Sequence, residues 1–185
     1  MTTTLLPAAE TFESRFHAAF GQPGEGPRKK VLSHLSEAHQ AFIRESPFLV
    51  MATSNAAGQC DASPRGGMPG FVRIVDERHL LLPDVKGNRR FDSYRNIDEN
   101  PHVGLLFMIP GSDRTVRVNG TARVVNAEEV RRVAGELSLH NPDEDAHLLQ
   151  GLLIEVEQAY SHCPRSFTFA DVWNTDTILQ NRARS

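Results

Sequence analysis

The sequence is short of several things at once. Its two cysteines, Cys60 and Cys163, stand far apart and form neither a CxxC pair nor a Cys/His cluster at zinc-ligand spacing, which argues against a disulfide scaffold and a structural zinc site. Free thiols in a cytoplasmic protein are the expectation. Long apolar runs are missing too, because charges or prolines interrupt every hydrophobic stretch well short of the roughly 18 residues a membrane span needs. Residues 1–26 contain Glu10 and Glu13 but no apolar core or small-residue cleavage site, so no secretory signal is expected. Positive charge is not in excess: the net charge of −3 argues against a nucleic-acid backbone as the main partner. No GxGxxG follows a strand-like segment, and no internal repeat occurs. What remains is ordinary. A chain of 185 residues, 39% hydrophobic and 23% charged, suits a soluble globular domain with a sizeable core of its own.

The periodicity divides the chain into short elements. A Gly/Pro-rich break at 21–27 sets off a short segment over 11–20, so residues 1–27 read as an N-terminal arm and 28–185 as one domain. Apolar Val31, Leu32, Leu35, Ala38, Phe42 and Ile43 recur at helical spacing over 30–45, with Ser46-Pro47 closing the run. The period then changes. Residues 48–53 and 59–63 form a hairpin around turn residues 55–58, and 70–75 with 79–82 form a second one around Asp76, Glu77 and Arg78. Phe91, Tyr94 and Ile97 fall three apart over 88–99, which predicts a short helix with one buried stripe, ended by Asn100-Pro101. Strands are expected at 103–109 and 115–125 around the turn 110–113, with Gly120 a bulge or close-approach position. A helix over 128–139, an acidic loop at 141–145 and a strand carrying Leu152, Ile154 and Val156 complete the chain. Many short strands and few helices favour a mainly β, antiparallel Greek-key barrel with peripheral helices over a doubly wound parallel sheet.

Two segments carry unusual chemistry. Lys86-Gly87-Asn88-Arg89-Arg90 places cations and a glycine at the start of the helix predicted over 88–99. A helix N-terminus offers unpaired N–H groups and a partial positive charge, glycine allows close backbone approach, and arginine presents a bidentate fork, so the segment suits a phosphate. The same residues also describe an exposed basic turn. Ser63-Pro64-Arg65-Gly66-Gly67-Met68-Pro69-Gly70 encloses one arginine among small residues; it reads as a long turn, or as backbone that a flat ligand can approach.

Taken in order, Ser63-Pro-Arg-Gly-Gly, Leu82-Pro-Asp, Gly87-Asn-Arg-Arg-Phe-Asp-Ser, Asn96-Ile, Asn100-Pro, Gly104-Leu-Leu-Phe, Ile109-Pro-Gly and Arg117-Val-Asn-Gly resemble the pyridoxamine 5′-phosphate oxidase family, in its branch described only as FMN-binding. The resemblance runs from about residue 42 to 125, with a looser echo at His162-Cys-Pro-Arg-Ser and Trp173. It implies an FMN-binding split β-barrel that works as a homodimer, with a flavin in each of two clefts at the subunit interface. By position, the family's phosphate grip falls on Asn88, Arg89 and Arg90, beside Lys86. The strand along the flavin ring matches Arg65, Gly66 and Gly67, and the next strand end matches Pro83 and Asp84. Asp84 is expected either to accept a hydrogen bond from the flavin ring N–H or to pair with Lys86 or Arg89. Thr115 matches a polar flavin contact, Arg117 lies two residues along the same strand face, and Arg165 with Trp173 face the partner's flavin. The basic and aromatic pattern by which the oxidase proper recognises its substrate near the C-terminus is absent, so vitamin B6 oxidation is not expected.

The other polar residues are read plainly. His34 and His39 lie off a shared helical face, His140 and His147 flank the acidic loop, and His162-Cys163 lacks a third ligand. Cys60 and Cys163 are expected as small buried or half-buried residues rather than nucleophiles, and Asp143, Glu144 and Asp145 as a solvated loop. The expected activity is FMN-dependent electron transfer between a donor such as a reduced nicotinamide and a small acceptor. The alternatives are a non-catalytic flavin-binding or flavin-storing protein and a split barrel that uses haem or a deazaflavin.

Overall fold

The computed structural model describes residues 15–85, 90–134 and 147–184. The chain divides into two compact units, Met1–Val31 and Leu32–Ser185. In the first, α1 (Arg15–Phe20) is followed by α2 (Glu25–Lys29). The Gly/Pro-rich break at 21–27 therefore carries part of a helix. Its Pro27 sits in the first turn, where a missing N–H removes no intrahelical bond.

The second unit opens with α3 (Glu37–Glu45), shorter than the helix expected over 30–45. Ser36 caps it: the His39 N–H donates to Ser36 Oγ, and the Ser36 N–H donates back to His39 Nδ1. This reciprocal cap satisfies two otherwise orphaned donors and starts the helix there. Leu32, upstream of the cap, exchanges backbone hydrogen bonds with Ala159. The strands are β1 (Phe48–Ser54), β2 (Cys60–Gly66), β3 (Arg73–Ile74) and β4 (His79–Val85). After α4 (Asp92–Glu99) come β5 (His102–Met108), β6 (Thr115–Asn126), α5 (Ala127–Ala134) and β7 (Leu148–His162), then α6 (Arg165–Phe169) and α7 (Thr175–Arg182). β2 runs three residues further than its expected end, through Pro64, Arg65 and Gly66, so the front of the presumed long turn is strand. Residues 135–146, which hold the end of the predicted helix and the acidic loop, lie outside the described residues.

All pairings in the seven-stranded sheet are antiparallel, in the order β2-β1-β5-β6-β7-β4-β3. The fold is thus mainly β, a split barrel with peripheral helices. Its interior holds Leu49, Met51, Leu80, Leu82, Leu105, Phe107, Val116, Val118, Leu152 and Ile154, with Leu35 and Ile43 closing one end. A smaller cluster of Leu81, Val125, Val130 and Leu148 lies where α5 covers the other face, so β4, β6 and β7 are apolar on both sides there.

Two details hold the frame. Ser46 Oγ, fully buried, lies 2.8 Å from the Phe48 carbonyl oxygen and 2.7 Å from that of Met108, joining the start of β1 to the end of β5. The expected bulge is present, because the β6–β7 register shifts at Asn119/Gly120. A Cβ on Gly120 would stand 1.9 Å from the Glu155 carbonyl oxygen, so only glycine permits this approach.

Candidate functional site

β1 and β2 are in register with Leu49 opposite Arg65, Met51 opposite Ser63 and Thr53 opposite Asp61. Directly paired residues share a face of the sheet. Asp61, Ser63 and Arg65 therefore point to the same side as the buried Leu49 and Met51, while Ala62, Pro64 and Gly66 point outward. On β4, alternation sends Leu80, Leu82 and Asp84 inward. β2 and β4 are not neighbours in the sheet, yet Arg65 Nη1 lies 3.7 Å from Asp84 Oδ1. At this mouth of the barrel the apolar filling gives way to a polar cavity of about 420 Å³, within the size range of small-molecule sites.

The lid of the cavity is the start of α4. Asn96 Nδ2 donates to Thr53 Oγ1 at 2.9 Å and Asn100 Nδ2 to Ser54 Oγ at 2.8 Å, which fixes the helix against β1. Buried Ser93 then reaches β2: its hydroxyl donates to Asp61 Oδ2 at 2.9 Å and accepts from Arg65 Nη2 at 3.4 Å, while Arg65 Nε donates to Ser63 Oγ at 3.2 Å. Tyr94, also buried, turns its hydroxyl toward Asp84 and Gln150. Burial first, and the Asp84 charge and hydrogen bond next, push the phenol far above its ordinary range, so it stays a neutral donor.

The predicted helix start is corrected by the structure: α4 begins at Asp92, beyond the basic segment, with Phe91 as its N-cap residue. Phe91 has φ 54°, is 39% exposed and meets Tyr94 edge-on. It is not part of the buried stripe that its spacing with Tyr94 and Ile97 suggested. A left-handed non-glycine residue beside a cavity is a strained feature that concentrates at functional sites. Arg90, at the rim, donates to Asp92 at 2.8 Å, and Arg95 donates to the same carboxylate at 2.6 Å. The Arg90 hydrogen bond first, with that from Arg95, holds the Asp92 carboxyl below the usual carboxylate range.

Of the residues singled out in the sequence, the structure brings Arg65, Asp84 and Arg90 to this cavity. Lys86, Asn88 and Arg89 lie outside the described residues. Asp84 pairs with Arg65; its proposed pairing with Lys86 or Arg89 falls on those same residues. Gly67 sits in the turn after β2, where a Cβ would stand 2.7 Å from Phe71 Cβ, so packing alone demands glycine there. Pro83 points away from Asp84, on a stretch of β4 beyond its pairing with β3, where a missing N–H is tolerated.

Thr115 and Arg117 lie elsewhere. Their neighbours Val116 and Val118 fill the core, so Arg117 faces outward, where its Nη1 donates to the Tyr160 hydroxyl at 3.0 Å across the β6–β7 pair. Thr115, buried, is opposite His162. Trp173 Nε1 donates to the Ser112 carbonyl at 2.9 Å and its ring stacks on Phe167, while Arg165 lies 5.2 Å from the centre of the Phe169 ring. Both cysteines are exposed, contrary to expectation: Cys60 is the outward-facing first residue of β2 and Cys163 follows the last residue of β7. Sequence reasoning missed Asp61, Ser63, Ser93 and Tyr94. A signal existed for two of them, since Asp61, Ser63 and Arg65 are polar at every second position of one strand face. Tyr94 looked like core and is core, except for its hydroxyl.

A profile of the pyridoxamine 5′-phosphate oxidase family matches residues 35–163. The pyridoxine/pyridoxamine 5′-phosphate oxidase of Crocosphaera subtropica is 29% identical over 110 residues, covering 57% of this chain and 45% of that protein; the chain thus spans less than half the length of this curated relative. Among solved structures, a Lactobacillus delbrueckii protein provisionally designated a pyridoxamine 5′-phosphate oxidase superposes with a TM-score of 0.52 at 20% identity, over 70% of this chain and 95% of that one. HupZ of Group A Streptococcus gives 0.50 at 18% identity, over 68% and 92%. At such identities the structural likeness speaks for the fold alone. No helix among the described residues is long and apolar enough to cross a membrane.

Proposed function

The chain belongs to the pyridoxamine 5′-phosphate oxidase family, and on that premise we propose that it is an FMN-binding oxidoreductase, residues 28–185 forming the flavin-binding domain and 1–27 an arm. The observation that carries this reading is the polar cavity between β2 and β4, where Arg65, Asp84, Tyr94 and the rim cation Arg90 converge from separate parts of the chain. Bound FMN supplies the electron transfer itself; the protein binds, orients and tunes it.

The residues present fit that cofactor. Arg90 stands at the rim for a phosphomonoester, and Lys86, Asn88 and Arg89, which precede it in the sequence, are the residues the resemblance assigns to the same grip. Asp92 does not stand in the way, because Arg95 still holds it when Arg90 turns to an anion. Arg65 and Asp84 offer the ring polar edge a donor and an acceptor. No histidine is among the described residues that line the cavity, which favours flavin over haem there. Thr115, Arg117, Arg165 and Trp173 do not line it. In the homodimer that the family resemblance implies, these four are assigned to a partner's flavin, with Thr115 and Arg117 on the outward face of β6. The half-buried apolar Phe48, Val50, Leu106 and Met108 on the same side of the sheet support a second copy as what covers it.

The test is the double variant Arg89→Ala with Arg90→Ala, its FMN affinity measured by flavin fluorescence. It is expected to release FMN while circular dichroism and size stay those of the parent. Undiminished affinity places the phosphate elsewhere and sinks the assignment. Mass spectrometry of the ligand released from purified protein tests the cofactor independently.

A further inference from the structure

We propose that a second cavity, on the outward face of β4, β7 and β6, binds a primary alkylammonium group: Glu155, His79 and Thr121 accept its N–H bonds, and Leu153 and Pro101 take its apolar stem. This cavity measures about 320 Å³, at the small end of small-molecule sites, and no described residue lines both it and the cavity under α4.

The sheet register builds the polar wall. Glu155 of β7 is paired with His79 of β4 on one side and Thr121 of β6 on the other, so the three side chains form one row across the sheet. Their chain neighbours Leu80, Ile154 and Ala122 belong to the barrel interior, which turns the row outward. One rung along, Leu153 faces Arg123 and supplies apolar floor. Pro101, whose carbonyl accepts from the Ala122 N–H at 2.8 Å, closes the side.

Charge decides what this wall can hold. Both cationic side chains that line the cavity already have a carboxylate: Arg123 Nη2 lies 2.6 Å from Glu129 Oε1, and His79 Nδ1 lies 2.9 and 3.0 Å from the Asp76 oxygens. Glu155 has no ion pair or side-chain hydrogen bond among the described residues. The charge left over is therefore negative and calls for a cation. Its kind follows from the acceptors. An uncharged His79 that gives its Nδ1 proton to Asp76 keeps Nε2 as an acceptor, so the row offers an imidazole nitrogen, a carboxylate and a hydroxyl oxygen. An ammonium on an alkyl stem carries three N–H donors and no acceptor, which matches that row; a guanidinium is a flat fork suited to the carboxylate alone. A metal ion fits less well, because no group of three or more His, Cys, Asp or Glu among the described residues is placed to hold one.

The experiment titrates the full chain with n-butylammonium and follows backbone amide shifts by NMR, with n-butyltrimethylammonium, which has the charge and the stem but no N–H, as the control. Saturable shifts centred on residues 79, 121 and 155 are expected, with a dissociation constant on the order of 1 mM. The quaternary control should bind about tenfold more weakly. Glu155→Gln changes an exposed side chain, should keep the fold and its amide spectrum, and is expected to weaken n-butylammonium about fivefold to tenfold. Shifts that do not saturate, or that saturate equally in Glu155→Gln, overturn the site. Equal binding of the quaternary control overturns the reading of N–H donors. Two sources can present this group, a free amine and a lysine side chain of another protein. Nα-acetyl-lysine methylamide separates them: binding equal to n-butylammonium admits the lysine, and its exclusion leaves the free amine, either result supporting an ammonium site.

Discussion

The cavity under α4 and the outward face of β6 and β7 are built on opposite principles. In the cavity, Asp61, Ser63, Arg65, Asp84, Ser93 and Tyr94 come from two strands that do not pair and a helix between them, and their polar contacts bridge the split. On the outer face, Thr115 with His162 and Arg117 with Tyr160 are rungs of one ladder, neighbours by register alone. The first arrangement exists only because the sheet curls; the second would exist in any flat β6–β7 hairpin. Convergence of polar groups from distant segments marks a built site, whereas a ladder rung needs a second element to become one.

The comparison can be broken most forcefully through the bulge both strands share. Gly120→Ala pushes a Cβ into the Glu155 carbonyl and is expected to lower stability by about 3 kcal/mol, read as a drop in melting temperature. A variant as stable as the parent would mean that the β6–β7 rungs can re-register freely. Next in size, Arg65→Ala should weaken FMN binding roughly tenfold to a hundredfold, as for loss of hydrogen bonds from a charged, partly buried group. Arg117→Ala should cost roughly threefold, and only at protein concentrations where the proposed homodimer forms. Equal effects of the two at any concentration would erase the distinction drawn here. Trp173→Phe removes the bond to the Ser112 carbonyl and should loosen the C-terminal segment by about 1 kcal/mol, seen as faster proteolysis after β7 with the cavity affinity unchanged.

The smallest effect lies outside both regions. Burial first, and the nearby His34 second, lower the pKa of His39 below its ordinary 6.5. Its unfolded form therefore binds a proton more readily than its folded form. Stability is fully present above about pH 6.5 and declines as pH falls through the lowered folded value; protonation of Nδ1 also removes the acceptor for the Ser36 N–H. Melting temperatures at pH 7.5 and 5.5 should differ more in the parent than in His39→Gln. An identical pH response in both would remove His39 as the cause.

Much of this was legible beforehand. The hairpins, the β5–β6 pair and the Gly120 bulge follow from alternation and turn residues, which are local signals. The order of motifs announced the family. The errors also have local causes. The apolar spacing over 30–45 overran the helix because Leu32 serves a backbone bridge to Ala159 while Leu35 and Ile43 serve the core. Phe91 fell in phase with Tyr94 and Ile97, yet its left-handed backbone puts it outside the helix. Ser93 and Tyr94 were invisible as site residues because their value depends on what lies across the split.

The amino-acid order by itself determined the strands, their turns and the inward parity of Asp61, Ser63 and Arg65, because a pleated strand alternates its side chains whatever surrounds it. Only the tertiary structure decided that Arg65 meets Asp84 and that Tyr94 turns its hydroxyl to that carboxylate. Their elements do not pair with one another, and closing the sheet to bury its apolar face is what brings them within reach.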